Sequence, residues 1–342
     1  MLNDISQSNL MVRHATPASL LAGLTLLAGP AHAAPLQDTA SIVTLQVEND
    51  AVSTLRGTSD QYYTSGLRLG FTSGTNALPD GVQHFFNEVW GDGVQRISVD
   101  LNQSLFTPRG TQLYPPDPRD RPYAGVLALT GSIIHDTDVA RTVLGLELGV
   151  VGPLAQGKEV QNGFHNIIGD TPNRGWSTQL RNEPVLEITP SRTWRLPIAQ
   201  AGGVEFDALP SIQVGVGNLR DYIQPGVVVR FGQGLNSDFG VARIQPGLSG
   251  TDAYTPTRPF AWYVFAGADG QAVGRDLTIE GNTFQSSRGV AQKWYVGELE
   301  AGAALMLYGV RLTYSQTWQT QEFYHQKGGL FNFGSLAASV RF

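Results

Sequence analysis

Apolar side chains recur at every second position in this chain, from TLQVEND near residue 44 to LAASVRF at its end, and that alternation decides most of what it can fold into. A strand turns successive side chains to opposite faces, so each such run carries one apolar and one polar side. In the last run Leu336, Ala338, Val340 and Phe342 share a face, while Ala337, Ser339 and Arg341 share the other. No stretch beyond the N-terminal region supplies the roughly 18 unbroken apolar residues of a membrane helix. Mean hydropathy is near neutral although 41% of residues are hydrophobic, the average expected of strands with lipid on one side and a wet lumen on the other. An open sheet edge in hydrocarbon leaves backbone groups unpaired at several kcal/mol each, so strands of this kind close on themselves. With no cysteine in the chain, closure owes nothing to disulfides.

Ahead of the strands, Arg13 and His14 precede an apolar run, Ala18 to Gly29, that ends in Ala31-His32-Ala33. This reads as a secretory signal peptide over 1–33, cleaved before Ala34, with the barrel over 34–342. A terminal phenylalanine on an alternating strand, here Phe342, resembles the signal read by the outer-membrane insertion machinery of Gram-negative bacteria, which places the chain in the outer membrane. Turn residues punctuate twelve strand-like runs: 41–50, 62–73, 96–106, 123–135, 141–151, 179–189, 204–216, 223–232, 260–270, 292–305, 308–317 and 331–342. The fold class is all-β, a twelve-stranded antiparallel transmembrane barrel with both ends in the periplasm, long outer loops and short inner turns. The chain is mildly acidic, with a net charge of −6, and is expected to act as a monomer without a nucleic-acid partner.

Three polar clusters then fall on the outer rim. In VENDAVSTLRGTSDQYYTSG, strand parity turns Glu48 and Asp50 into the lumen with Thr44 and Gln46, and Thr64 shares the inward parity of Gly66 and Arg68. The acid Asp50, the amide Asn49 and the hydroxyl Thr64 are hard oxygen donors, the kind Ca²⁺ prefers. Between strands three and four, Arg109, Arg119 and Arg121 are candidates to grip a phosphate, for which a guanidinium fork is well shaped. In EVQNGFHNIIGD the period changes from two to nearly four: Val160, Phe164, Ile167 and Ile168 mark one short helix, and no other helix is expected. Gln161 and His165 occupy one stripe of that helix. Its apolar stripe would face lipid tails or the wall, and Asp170 is near enough in sequence to orient the imidazole. An imidazole is the side chain best suited to take a proton from water near neutral pH.

At these residues the chain resembles a known family, the lipid A 3′-O-deacylases of the Gram-negative outer membrane. The similarity is densest in YYTSGLRLG, NQSLFTP, DRPYAG and GVVGPLAQGKEVQNGFHNIIG. The resemblance implies a twelve-stranded barrel whose site lies near the outer rim, between the wall and a helix from an external loop. It implies Ca²⁺-dependent hydrolysis of a 3′-linked fatty acyl ester on lipid A. Matched by position, Asn49, Asp50, Thr64, Gln161 and His165 form the site, with His165 as general base and Asp50 holding the Ca²⁺. The best-known members carry a lysine in the loop after strand three, and this chain has none between Asp50 and Lys158. Arg109 or Arg121 would take the substrate phosphate in its stead. Rival readings are a small porin or adhesin, a barrel hydrolase of another outer-leaflet lipid, and a serine phospholipase using Ser65 or Ser104 with His84 or His135.

Overall fold

The computed structural model describes residues 37–50, 60–75, 77–244 and 251–342. The leader assigned to 1–33 and most of the first outer loop lie outside the described residues. Among those described there are thirteen strands: β1 Ile42–Asn49, β2 Tyr62–Thr72, β3 Val94–Thr107, β4 Ala124–Asp136, β5 Ala140–Val151, β6 Glu183–Trp194, β7 Leu196–Ala201, β8 Val204–Gly217, β9 Arg220–Gln233, β10 Phe260–Asp276, β11 Tyr295–Leu307, β12 Val310–Gln319 and β13 Phe331–Arg341. The strands β1 to β6 pair antiparallel in sequence order, as do β8 to β13, and β1 closes on β13 from Ile42↔Arg341 to Asn49↔Gly334. Both β6 and β7 pair with β8, so the two form one stave interrupted at Arg195. Twelve staves therefore complete the ring, as the alternation requires. Polar side chains face in: Thr44, Gln46 and Glu48 are buried, whereas Leu45, Leu69, Leu101, Leu129, Leu148 and Leu299 face out and are exposed. The barrel thus shows lipid an apolar band and belongs in the outer membrane.

Three helices stand outside the strands: α1 Asp80–Trp90, α2 Gly157–Ile168 and α3 Leu277–Glu280. Only α2 was expected. The helix α1 was missed although Val82, Phe85, Phe86, Val89 and Trp90 recur at the i, i+3, i+4, i+7, i+8 spacing of a single apolar stripe. The sixth run was expected from Gln179, but the strand begins at Glu183 because the preceding residues form a 3-10 turn and Leu180 N–H bonds back to the Tyr123 carbonyl.

Short inner turns are also not what the structure has throughout. The described parts of the segment between β9 and β10, residues 234–244 and 251–259, enter the lumen from the end that carries the termini. Gln46 Nε2 donates to the Ala242 carbonyl at 2.9 Å, and Ile244 N–H donates to Glu48 at 2.8 Å. Arg243 pairs with Glu298 at 3.0 Å, and Asp252 with Arg68 at 2.8 Å. At the opposite, distal end an aromatic cluster including Tyr62, Tyr63, Phe106, Phe323, Phe331 and Phe333 caps the interior. Between plug and cap remains a polar cavity of about 230 Å³. A lumen so filled argues against a diffusion pore.

Candidate active site

The distal half of β2 contains one residue too many. Tyr63 pairs with Phe106 and Ser65 with Leu105, so Thr64 between them has no partner in the ladder. Such a bulge re-aims a side chain. Tyr63 stays with the lumen, its hydroxyl donating to Glu48 at 2.8 Å, while Thr64 Oγ1 meets Thr107 Oγ1 at 2.7 Å. Thr107 shares the outward side of β3 with Val99, Leu101 and Leu105 by alternation. The inward parity expected for Thr64 is therefore corrected: it faces the outer side of the wall. Asn49 falls on that side too, opposite Ser65.

Something covers the wall here, because Leu105 is 2% exposed while Leu101 on the same side is 48% exposed. The cover is α2, entered through Gln156 in the left-handed region and left through Gly169 in the same region. Gly157 brings the helix down: a Cβ there would lie 2.8 Å from Trp176 and 2.9 Å from Leu105. Gln103 secures the approach by donating to the Ala155 carbonyl at 2.7 Å. The line that meets the wall is Gly157, Gln161 and His165, all buried, while Phe164, Ile167 and Ile168 are more than half exposed. Of the expected apolar stripe only Val160 packs inward, against Leu105, Tyr123 and Trp176. The rest faces away from the wall and is exposed.

His165 is gripped on both nitrogens. Nδ1 lies 2.9 Å from the Thr171 carbonyl, and Nε2 lies 2.9 Å from Oδ2 of Asp60. A carbonyl only accepts, so Nδ1 carries a hydrogen. The expected partner Asp170 is occupied elsewhere, accepting from Thr171 N–H at 2.6 Å. Asp60, which the sequence reading missed, is a hub: its carboxylate also accepts from Asn173 Nδ2 at 3.2 Å and its carbonyl from Thr107 at 3.0 Å. Asn173 is held in turn by Asn162 of α2, whose Oδ1 accepts from Asn173 N–H at 2.8 Å. Next to Asp60, Gln61 N–H donates to Asp50 Oδ2 at 3.0 Å. Gln161 Oε1 accepts from Trp176 Nε1 at 2.7 Å, which leaves its buried amide nitrogen with no acceptor among the described residues. Asn49, Asp50, Thr64, Gln161 and His165 thus converge where the β1–β2 connection, the end of β3 and α2 meet. Among the described residues no group of three or more His, Cys, Asp or Glu side chains is arranged to hold a metal ion. The donors that do gather are two carboxylates, hydroxyls, amides and backbone carbonyls, an oxygen set suited to a hard cation such as Ca²⁺.

The arginines divide. Arg121 is fully buried, paired with Glu322 at 3.0 Å, bonded to Thr278 at 2.8 Å and stacked over Phe106 at 4.5 Å. Its charge is spent under the distal cap, so it is not placed to take a substrate phosphate. Arg109 is exposed; its backbone N–H is held by Asp120, whose carboxyl burial lifts above the ordinary range. The serine rivals find no base: His135 is sandwiched between Gln95 and the Gly91 carbonyl, and His84 pairs with Glu88 on α1, both at the terminal end. Ser65 and Ser104 lie toward the other end.

The family model described as "Outer membrane protein LpxR" matches residues 20–342. Among solved structures, LpxR from Salmonella typhimurium superposes with a TM-score of 0.72 at 23% identity, covering 88% of this chain and 100% of that one. The β domain of the Bordetella autotransporter BrkA gives a TM-score of 0.43 at 11% identity, covering 90% of this chain and 99% of that one. The translocator domain of NalP from Neisseria meningitidis gives 0.39 at 10% identity, covering 89% and 88%. No curated protein matches the chain. With a family model matched over nearly its whole length, the chain belongs to the LpxR family of outer membrane proteins.

Proposed function

We propose that this protein is a Ca²⁺-dependent lipid A deacylase that hydrolyses a 3′-linked acyl ester, with His165 as general base. The observation that carries the reading is the buried His165–Asp60 contact on the outer side of the wall, under a helix whose other side is apolar and exposed. A catalytic group placed there meets a lipid that arrives sideways in the membrane, without passing through the filled lumen. Family membership supports the same substrate class.

Nδ1–H of His165 donates to the Thr171 carbonyl, so Nε2 is the nitrogen that takes the proton, from a water that enters between it and Asp60 Oδ2 in place of their direct contact. The 2.9 Å contact with Asp60 is a hydrogen bond once Nε2 bears that proton, so the carboxylate stabilises the imidazolium formed by the transfer. Hydroxide adds to the ester carbonyl, and the tetrahedral species collapses with departure of the sugar alkoxide, which recovers the proton from Nε2. The amide nitrogen of Gln161, which has no acceptor among the described residues, is the donor for the oxyanion. Asp50 and Asn49 are the residues that would hold Ca²⁺, whose chemistry when bound is to polarise the ester carbonyl. Exposed Arg109 is the candidate for a substrate phosphate.

The test is incubation of the purified protein with lipid A and Ca²⁺, read by mass spectrometry for loss of one acyloxyacyl group. Wild type releases it, chelation stops release and His165→Ala removes about 10²-fold or more of the rate. A variant as active as wild type would sink the assignment of the base. Release only from a different outer-leaflet lipid would keep the hydrolase and change its substrate.

A further inference from the structure

The helix α1 has three sides rather than two. One side is the wall: Asn87 accepts from Gln95 Nε2 at 2.8 Å, His135 Nε2 donates to the Gly91 carbonyl at 3.0 Å, and Phe86 stacks on Trp90 above the His135 ring. Gln95 and His135 are outward-facing by the alternation of β3 and β4, yet both are fully buried. The helix therefore leans on the outside of the barrel at the terminal rim. A second side is polar and exposed, with Asp80, His84 and Glu88 a turn apart. The third, between the other two, is Val82, Phe85 and Val89, and among the described residues nothing outside the helix covers it: Phe85 is 57% and Val89 53% exposed.

What covers that third side follows from what it adjoins. Along β3 the outward side passes from Gln95, under α1, to Val99 and Leu101, which are exposed in the lipid-facing band. Four residues of strand separate Gln95 from Val99, about 13 Å at ~3.3 Å per residue. On β4 the outward side leads from His135 to Leu129 six residues away, about 20 Å at ~3.3 Å per residue. The apolar side of α1 continues that band at its edge, and its polar side takes the adjoining water. A helix with one apolar and one charged side at the edge of a bilayer lies in the interface plane. We propose that α1 is an interfacial foot, its Val82–Phe85–Val89 stripe seated in the headgroup–acyl boundary of the leaflet on the terminal side of the barrel. The occupant is phospholipid, and the proposal stands apart from any activity at the distal rim.

Because the chain has no cysteine, single labels are unambiguous. Full-length Phe85→Cys, Val89→Cys and His84→Cys, each carrying a nitroxide, are reconstituted in phosphatidylethanolamine–phosphatidylglycerol vesicles. Collisions are measured with oxygen, which concentrates in lipid, and with a water-soluble nickel chelate. The oxygen-to-nickel collision ratio is expected to be several-fold higher at 85 and 89 than at 84. Equal ratios at the three positions overturn the proposal. So does dipolar broadening at 85 and 89, which would mean that a second copy covers the stripe. Heat-modifiable gel mobility establishes that each variant is folded, and Val82→Cys replaces any that is not.

Discussion

Nε2 of His165 lies 2.9 Å from Oδ2 of Asp60, joining α2 to the residue that leads into β2 across a gap of more than a hundred positions in sequence. The contact sits 6% and 13% exposed on its two sides, so solvent screens it little. Asp60→Asn keeps the shape and removes the charge that stabilises the imidazolium. Its kcat is expected to fall by ten- to a hundredfold, part of the ~10²–10⁴ that a general base contributes. KM and the Ca²⁺ concentration for half-maximal rate should not move. A raised Ca²⁺ requirement would instead make Asp60 a metal ligand.

The height of α2 above the wall rests on Gly157. Gly157→Ala sets a methyl within 3 Å of Trp176 and Leu105, and over-packing of this kind costs about 1–3 kcal/mol. The helix should lift, and activity should drop while barrel stability, read by heat-modifiable mobility, stays put. Gly163 is the control: nothing lies within 4 Å of a Cβ there. Gly163→Ala is expected to firm the helix by about 0.5–1 kcal/mol and to leave activity at or above wild type. Equal loss in both variants would mean that the helix does not need its close seat.

Where the chain closes, Asp38 receives Arg341 Nε at 2.8 Å and Arg96 Nη2 at 3.3 Å. Burial alone would raise this carboxyl, but Arg341, the Ala40 N–H and the charge of Arg96 together hold it below the ordinary range. Its folded pKa is thus lower than the ~3.9 of an unfolded chain. The stabilisation is complete above the unfolded value and is lost as pH falls through the folded one. Wild type should lose thermal stability across that acid window, and Asp38→Asn should begin lower and change less. Parallel pH curves for the two proteins would remove Asp38 as the cause.

The barrel and its twelve staves were legible because alternation is local: Leu45 and Gln46 declare their faces without reference to any other strand. The short helix was legible for the same reason, through the change of period at Val160 and Phe164. The helix α1 aside, what stayed hidden depends on pairing. The bulge at Thr64 is an event of register between β2 and β3, and parity counted along one strand runs straight through it. Asp60 stands four residues before Thr64 in a motif already singled out, yet only the fold brings it to His165 in preference to the sequence neighbour Asp170. Arg121 showed its type and not its partner, since Glu322 lies 201 residues away. The plug was unreadable because 234–259 has the glycine and proline content of an ordinary loop.

That plug offers the last test. Arg243 is 1% exposed and pairs with both Glu298 and Glu300 on β11, while its neighbours on either side bond to Gln46 and Glu48 of β1. Arg243 thus ties the inserted segment to β11 while its neighbours tie it to β1, three staves away around the ring. Removing one partner of a buried ion pair costs about 3–5 kcal/mol, because the remaining charge is left uncompensated. Arg243→Ala is accordingly expected to lower the denaturation midpoint and to open conductance in planar bilayers where wild type is silent. Adding Glu298→Gln and Glu300→Gln to it removes the stranded charges and should recover most of the stability. Conductance should persist in that triple variant, since the tie itself is still absent. If Arg243→Ala melts with wild type and stays silent, the backbone bonds of Ala242 and Ile244 hold the plug without it.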